Sequence, residues 1–174
     1  MLLPDYRVRR VTELSASFLQ KNGIRALLLD VDNTLSTHGG QEPLEGLEDW
    51  IRAMQREGIG LMILSNAKRR RVEPFARRLG LEFTALSLKP LPFGYLRAVG
   101  RLGLQRREVG MVGDQLFTDI LGGGAAGLFT ILVEPIQAES GCSFRLRRKW
   151  EHKLLSRWER RGEQREESKK GGCL

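Results

Sequence analysis

The chain has 174 residues, enough for one domain of ordinary size. Its 41% hydrophobic and 29% charged residues are typical of a folded globular protein and exclude a wholly disordered chain. The longest apolar runs have the length of a β-strand, which excludes the run of about 20 apolar residues that spans a bilayer. No secretion-signal pattern opens the chain, and its two cysteines lack metal-binding or redox spacing, so we expect a reduced, cytoplasmic setting.

The positive charge is concentrated towards the C-terminus. The net charge is +8; residues 141–174 hold 11 basic and 5 acidic residues, whereas residues 1–140 hold 18 and 16. A basic tail favours a phosphate-rich partner, which is either nucleic acid or an anionic membrane surface. The charge alone does not choose between the two.

Short apolar runs alternate with segments of helical periodicity along the chain. In order, the pattern predicts a helix over 11–20, a strand over 25–30, a helix over 44–57, a strand over 61–64, a helix over 72–79, a short strand over 83–86, a helix over 93–102, a strand over 109–112, a helix starting at 115 and a strand over 129–133. This alternation predicts an α/β fold with right-handed crossovers and a parallel sheet that carries helices on both faces.

The same pattern divides the chain into three parts. Residues 1–22 form an amphipathic N-terminal segment, residues 23–140 the core, and residues 141–174 a basic tail. In the tail, Trp150 and Trp158 lie on one stripe of a predicted helix over 145–161, and the residues after it are predicted to be disordered. The helix either packs on its own domain or lies in a membrane interface with its Arg and Lys towards anionic headgroups.

Polar side chains follow four of the predicted strands. They are Asp30 and Asp32, then Ser65 and Asn66, then Lys89, and finally Asp114 with Asp119 five residues beyond. In a parallel α/β sheet the carboxyl ends of the strands form the reactive edge, so these groups are expected to converge.

The residue types at this edge suit a metal and a phosphate. Asp30 and Asp32 lie two positions apart, so one carboxylate can attack and bind a metal while the other exchanges protons. Ser65 and Asn66 begin the next helix, a place that favours an anion. An oxygen-only donor set without His or Cys favours Mg²⁺ over zinc.

Four segments carry a resemblance to a known family. Asp30-Val-Asp-Asn-Thr34, Ser65, Lys89 and Gly113-Asp114 with Asp119 resemble the four motifs of the haloacid dehalogenase-like (HAD) phosphatases, in the same order and at the same strand ends. The match runs from about residue 25 to residue 133. It implies a HAD-like Rossmannoid fold and hydrolysis of a phosphomonoester.

The resemblance also implies roles for the catalytic and phosphate-binding residues. Asp30 attacks phosphorus and forms an aspartyl-phosphate. Asp32 protonates the leaving oxygen and then activates the water that hydrolyses the intermediate. Ser65 and Lys89 hold the oxygens of the transferring phosphoryl group.

The metal site follows from the same resemblance. Asp30, the backbone carbonyl of Asp32, and Asp114 are expected to ligate Mg²⁺. Asp119 is expected to support the metal waters or to orient Lys89. Thr34 is expected to shape the loop rather than to react.

The spacing of the motifs leaves no room for a cap domain. Only residues 35–64 separate the first motif from Ser65, and residues 66–88 separate Ser65 from Lys89; helices and strands fill much of both gaps. An uncapped site is open to bulky or surface-bound substrates.

A narrower resemblance is to the YqeG group of uncapped (subfamily IIIA) HAD phosphatases. Leu64-Ser-Asn-Ala67 followed by Arg71-Val72, together with Gly113-Asp-Gln-Leu-Phe-Thr-Asp119, carries it. The group is related to phosphatidylglycerophosphate phosphatases, which implies a phospholipid headgroup as substrate and a peripheral position at the inner face of the membrane. Gly124 and Ala125 stand where relatives often have an Asn and a basic residue.

Three functions stay open at this point. The first is Mg²⁺-dependent hydrolysis of phosphatidylglycerophosphate, and the second is the same chemistry on a soluble or nucleic-acid phosphate ester. The third is a nucleic-acid or membrane binding module with an idle HAD site, against which the intact acidic motifs argue.

The basic run Lys68–Arg71 is either a solvated helix start or a contact for an anionic substrate, and His38 lies in a loop near the site.

Overall fold

Six strands form one parallel sheet in the computed structural model, which describes residues 3–137. In chain order the elements are β1 (Tyr6–Val8), α1 (Ala16–Lys21), β2 (Ala26–Leu29), α2 (Leu47–Arg56), β3 (Gly60–Leu64), α3 (Arg69–Leu79), β4 (Glu82–Thr84), α4 (Pro92–Leu102), β5 (Val109–Gly113), α5 (Leu121–Ala125) and β6 (Phe129–Val133). The order across the sheet is β1-β6-β5-β2-β3-β4, and each neighbouring pair is parallel.

Helices cover both faces of this sheet. Because successive strand residues point to opposite faces, Leu27 and Leu29 pack in one cluster with side chains of α1, α2 and α3, whereas Leu28 packs in a second cluster with α4. The two clusters are the two layers of an α/β sandwich. The predicted fold class is therefore confirmed.

Glycines end two of the main helices where the sequence places them. Gly80 follows α3 and Gly103 follows α4, and both adopt a left-handed backbone with φ of 65°. A residue with a Cβ is disfavoured in this conformation, so glycine is the usual residue after a helix. The predicted ends of both helices are confirmed.

The N-terminal segment departs from the expectation of a single helix over 11–20. Val11–Glu13 form a 3-10 turn, and a separate α-helix begins at Ala16, where the Ser15 hydroxyl accepts a hydrogen bond from the Phe18 backbone N–H. The preceding strand β1 was not predicted. It joins the sheet beside β6, so residues 6–21 lie within the sheet's own layers rather than in a segment apart from the core.

The segment after β5 also differs from a regular α-helix. Leu116–Ile120 form a π-helical turn, and the α-helical part is only Leu121–Ala125. Wider turns of this kind occur as local bulges, frequently at functional sites. Asp119 lies in this turn.

The topology places β2 between β5 and β3. The chain leaves β2 towards β3 and leaves β5 towards β6, so β2 and β5 flank the switch point at which ligands bind in such sheets. Between the strands and helices at this edge, residues 30–46, 65–68 and 85–91 are connections without a cap domain. The predicted basic tail helix lies outside the described residues. In the part of the chain that is described, no helix is both long and apolar enough to cross a membrane.

Candidate active site

A buried lysine joins two buried carboxylates at the carboxyl edge of the sheet. The Lys89 Nζ donates to Asp30 Oδ1 at 2.5 Å and to Asp119 Oδ1 at 2.7 Å. The three side chains are 3%, 8% and 1% exposed, respectively. Buried charges are rare unless paired, and here one cation serves two anions. Of the two roles expected for Asp119, orienting Lys89 has a direct contact behind it, and support of the metal waters stays a prediction.

Three carboxylates form a cluster with the geometry of a cation site. One oxygen from each of Asp30, Asp114 and Asp119 lies within 4.8 Å of the others, and all three residues are buried. An all-oxygen set of this charge fits a hard divalent cation such as Mg²⁺. The carboxylate of Asp32 is outside this cluster; the predicted metal contact of Asp32 is through its backbone carbonyl.

The electrostatics of the cluster follow from its burial. Burial raises the pKa of Asp30 to about 7, while Lys89 acts in the opposite direction and Asp119 adds to the rise. Burial alone would lower the pKa of Lys89, but Asp119 and Asp30 together raise it above its usual range. Lys89 is therefore a permanent cation. Any further positive charge nearby would stabilise the ionised form of Asp30.

Asp32 lies closer to solvent and has partners of its own. Its Oδ1 accepts from the Gly39 backbone N–H at 2.9 Å and from the Arg71 guanidinium, and His38 Nδ1 is 3.9 Å away. Its side chain is 16% exposed, twice the value of Asp30. Asp32 is thus placed where a proton can pass between the site and water. No sequence pattern predicts the contact with Arg71, although the run Lys68–Arg71 is expected at this edge.

Ser65 and Asn66 follow β3, as expected, and their side chains have different partners. The Ser65 Oγ accepts from the Ala67 N–H at 3.1 Å, which caps the turn and leaves the hydroxyl hydrogen for another acceptor. The side chain of Asn66 hydrogen-bonds to the next loop through both its amide nitrogen and its amide oxygen, and phosphate binding by Asn66 stays a prediction. Its Nδ2 donates to the Lys89 carbonyl at 3.0 Å, and its Oδ1 accepts from the Lys89 N–H at 2.7 Å and the Ser87 hydroxyl at 3.0 Å. Asn66 therefore positions Lys89.

Close packing positions Asp119. Its Oδ2 accepts from the Gln115 backbone N–H at 3.2 Å. A Cβ on Gly113 would lie 2.3 Å from the Asp119 Cγ, so only glycine at position 113 lets Asp119 reach Lys89. Apart from the glycine itself, no sequence pattern indicates that position 113 must lack a side chain.

Thr34, predicted as a supporting residue, is buried. Its Oγ1 has no hydrogen-bond partner among residues 3–137. The residue also lines a cleft of about 570 Å³ together with Arg9 and Arg10.

Comparison with known proteins supplies the family. The haloacid dehalogenase-like hydrolases match residues 7–127. The chain belongs to this family. It is also 34% identical to the probable phosphatase YqeG of Bacillus subtilis over 92% of this chain and 93% of that protein, which confirms the predicted YqeG group and makes the chain a HAD phosphatase.

A second relative is more distant. Over 92% of its own length, this chain is 28% identical to the chloroplastic/mitochondrial phosphatidylglycerophosphate phosphatase 1 of Arabidopsis thaliana. It covers 49% of that protein, so it spans about half the length of this relative.

Solved structures share the fold. An uncharacterized protein from Listeria monocytogenes serotype 4b superposes with a TM-score of 0.55 at 18% identity, covering 68% of this chain and 85% of that one. The cobalt-bound deoxy-D-mannose-octulosonate 8-phosphate phosphatase of Haemophilus influenzae gives a TM-score of 0.53 at 17% identity, covering 64% and 69%. At these identities the likeness concerns the fold.

Proposed function

We propose that this HAD phosphatase hydrolyses the phosphomonoester of phosphatidylglycerophosphate in a Mg²⁺-dependent reaction. The observation that carries the chemistry is the buried Lys89 held between Asp30 and Asp119 beside Asp114. A lysine that contacts the attacking carboxylate is also in reach of the phosphoryl group that this carboxylate attacks. The arrangement supports transfer of a phosphoryl group to Asp30.

The reaction has two steps. An Asp30 oxygen attacks phosphorus and the ester P–O bond breaks, while Asp32 gives its proton to the leaving oxygen. Asp32 then takes a proton from water, which attacks phosphorus and releases inorganic phosphate, so that Asp30 is restored. Lys89 and the Ser65 hydroxyl offset the charge that builds on the phosphoryl oxygens.

The acidic cluster supports a divalent metal at the same site. Asp30 and Asp114 would hold Mg²⁺, together with the backbone carbonyl of Asp32. When bound, the cation offsets negative charge on the carboxylate and on the phosphate. Without such a cation, the anionic Asp30 repels an anionic substrate.

Two observations support a lipid-borne substrate. The connections 30–46, 65–68 and 85–91 leave the site edge without a cap domain, which suits a phosphate presented at a surface. The relative from Arabidopsis thaliana is named a phosphatidylglycerophosphate phosphatase. A cytoplasmic enzyme at the inner face of the membrane agrees with both. Contact of the basic tail, residues 141–174, with anionic lipid stays a prediction.

Phosphate release from a panel of esters tests the proposal. The panel holds phosphatidylglycerophosphate in mixed micelles, a sugar phosphate, a nucleotide and a DNA end phosphate, each with Mg²⁺ or with excess chelator. Asp30→Asn is expected to lose at least ~10³-fold in rate, as nucleophile removal does elsewhere. The matched control is Asp49→Asn, whose side chain is 84% exposed on α2 and remote in the sequence from all four motifs.

The outcomes separate the chemistry from the substrate. Full turnover in excess chelator contradicts the metal dependence, and wild-type turnover by pure Asp30→Asn contradicts covalent catalysis. Preferred hydrolysis of a soluble or nucleic-acid ester keeps the chemistry and rejects the lipid.

A further inference from the structure

Large apolar side chains are exposed around the loop that carries Lys89. Leu86, Leu88, Leu91 and Phe93 are exposed by 58%, 62%, 50% and 66%. These four residues lie within eight consecutive positions, and only two other large hydrophobic residues of the described chain, Tyr6 and Ile136, are exposed. Single exposed apolar residues are ordinary, whereas a group of this kind marks an interaction surface.

The backbone makes leucine an unexpected choice at two of these positions. Leu86 and Leu88 have φ of 49° and 56°, in the left-handed region. Glycine or asparagine adopts this conformation more readily than leucine, and a polar residue would suit the exposure better. Leucine is therefore unfavourable here for two reasons, the left-handed backbone and the exposure of its side chain to water. A binding role for these side chains explains why leucine is nevertheless present.

The same loop connects these leucines to the site. Exposed and buried residues alternate along it: Leu86 and Leu88 are exposed, whereas Ser87 and Lys89 are buried. Asn66 accepts hydrogen bonds from the Ser87 hydroxyl and from the Lys89 N–H, which holds the inner side of the loop. The loop therefore presents a lysine to the site and leucines to the outside.

Basic residues follow the loop that contacts this apolar segment. The Leu86 N–H donates to the Ala67 carbonyl at 3.1 Å, so the loop after β4 contacts the loop after β3. The next residues after Ala67 include Lys68 and Arg70, both exposed. Apolar side chains with cations at their margin match a surface that is apolar inside and negatively charged outside.

We propose that this docking face, formed by Leu86, Leu88, Leu91 and Phe93 with Lys68 and Arg70, rests on an anionic phospholipid bilayer. The four apolar side chains enter the interfacial region, and the two cations lie at the level of the anionic headgroups. The inference rests on the proposed function, which gives a phosphatase a reason to work at a bilayer. It makes the lipid contact a property of the catalytic edge itself, independent of the basic tail.

Flotation with vesicles tests the docking face without any turnover. The full chain is mixed, in chelator, with vesicles of phosphatidylglycerol and phosphatidylcholine or of phosphatidylcholine alone. The first variant is Leu86→Asn with Leu88→Asn, because asparagine tolerates the left-handed backbone. The second is Leu91→Ser with Phe93→Ser. Each pair is expected to weaken vesicle binding by about tenfold or more, since two apolar side chains no longer enter the interface.

The charged part of the face has its own variant. Lys68→Gln with Arg70→Gln is expected to weaken binding to the anionic vesicles by about tenfold and to leave binding to neutral vesicles nearly unchanged. Tyr6→Ser is the matched control, because it removes a partly exposed aromatic ring from β1, the outermost strand on the side of the sheet away from β4. The Tyr6 ring packs against Phe18, so a melting curve on this variant checks that it is folded. Binding by this control is expected to equal wild type.

Each result bears on the docking face separately from the substrate. Wild-type vesicle binding by both apolar pairs, with melting curves that show a folded protein, overturns the face. A second result also overturns it: the wild type is a dimer, the apolar variants are monomers, and vesicle binding is the same for all of them. The face is then an interface between copies of the chain. Lost vesicle binding with retained turnover of a small soluble phosphate ester supports the docking face. If vesicles bind as expected but phosphatidylglycerophosphate is not hydrolysed, the proposed substrate fails and the docking face stands.

Discussion

Asp30→Asn is expected to stabilise the metal-free protein at neutral pH while it abolishes activity. The carboxylate of Asp30 is buried, and Asp119 and Asp114 lie close to it, whereas Lys89 offsets only part of their negative charge. Burial raises the pKa of Asp30 from 3.8 to about 7. Asparagine resembles the protonated acid in shape and carries no charge, so it removes the unfavourable buried anion.

The sign and the size of the effect follow from linkage. A carboxyl group whose pKa is higher in the folded state holds its proton more tightly there. Its contribution to stability is complete below about pH 4 and is lost as the pH rises to about 7. Between pH 5 and pH 8 the loss is about 3 kcal/mol, at 1.36 kcal/mol for each pH unit up to about pH 7. Above pH 8 it no longer grows.

Urea unfolding in chelator measures this effect. Wild type, Asp30→Asn and the exposed control Asp49→Asn are unfolded at pH 5, 6, 7 and 8. Titrating groups remote from the site cancel in the difference between variant and wild type, so the change of that difference with pH reports on Asp30 and the charges around it. That difference is expected to grow by about 3 kcal/mol in favour of Asp30→Asn between pH 5 and pH 8 and to stay constant for the control. A difference for Asp30→Asn that does not change with pH refutes the reasoning.

Three further substitutions probe how the site is assembled. Asn66→Ala frees the loop that carries Lys89, and kcat is expected to fall by about 10²-fold; an unchanged kcat contradicts the positioning role. Gly113→Ala places a Cβ 2.3 Å from the Asp119 Cγ, so activity is expected to be lost, and full activity in a folded variant disproves the close fit. Tyr95→Phe leaves a backbone carbonyl without its 2.7 Å hydrogen bond, so urea unfolding is expected to show a loss of about 1–3 kcal/mol with kcat retained, whereas equal stability rejects that estimate.

Much of the fold could be predicted because its signals are local. Apolar runs of strand length mark β2, β3, β5 and β6, and glycine after α3 and α4 marks the ends of those helices. Strand β1 could not be predicted from such local signals. Its three residues are flanked by polar and basic neighbours, and it is held by pairing with β6 and by Asp5, whose carboxylate accepts from the Thr130 N–H and hydroxyl at 2.8 Å. Those partners lie more than 120 positions away, so no local pattern reveals them.

The sequence by itself determined which chemical groups follow each strand and in what order. Parallel strands bring their carboxyl ends to one edge, which is why Asp30, Lys89, Asp114 and Asp119 could be placed together in advance. Asp30 and Asp114 were predicted as carboxylate ligands of the metal, whereas Asp119 was not. The place of the Asp119 carboxylate in the cluster depends on the turn that carries this residue.

Only the tertiary structure decided which loops touch and which side chains they exclude from water. It joined the Asn66 side chain to the backbone of Lys89, joined Arg71 to Asp32, and left Leu86 and Leu88 exposed. The physical reason is that these contacts join loops from different strands. Loop conformation and side-chain rotamers are selected by the packing of the whole domain, whereas periodicity along the chain reports only on the element in which a residue lies.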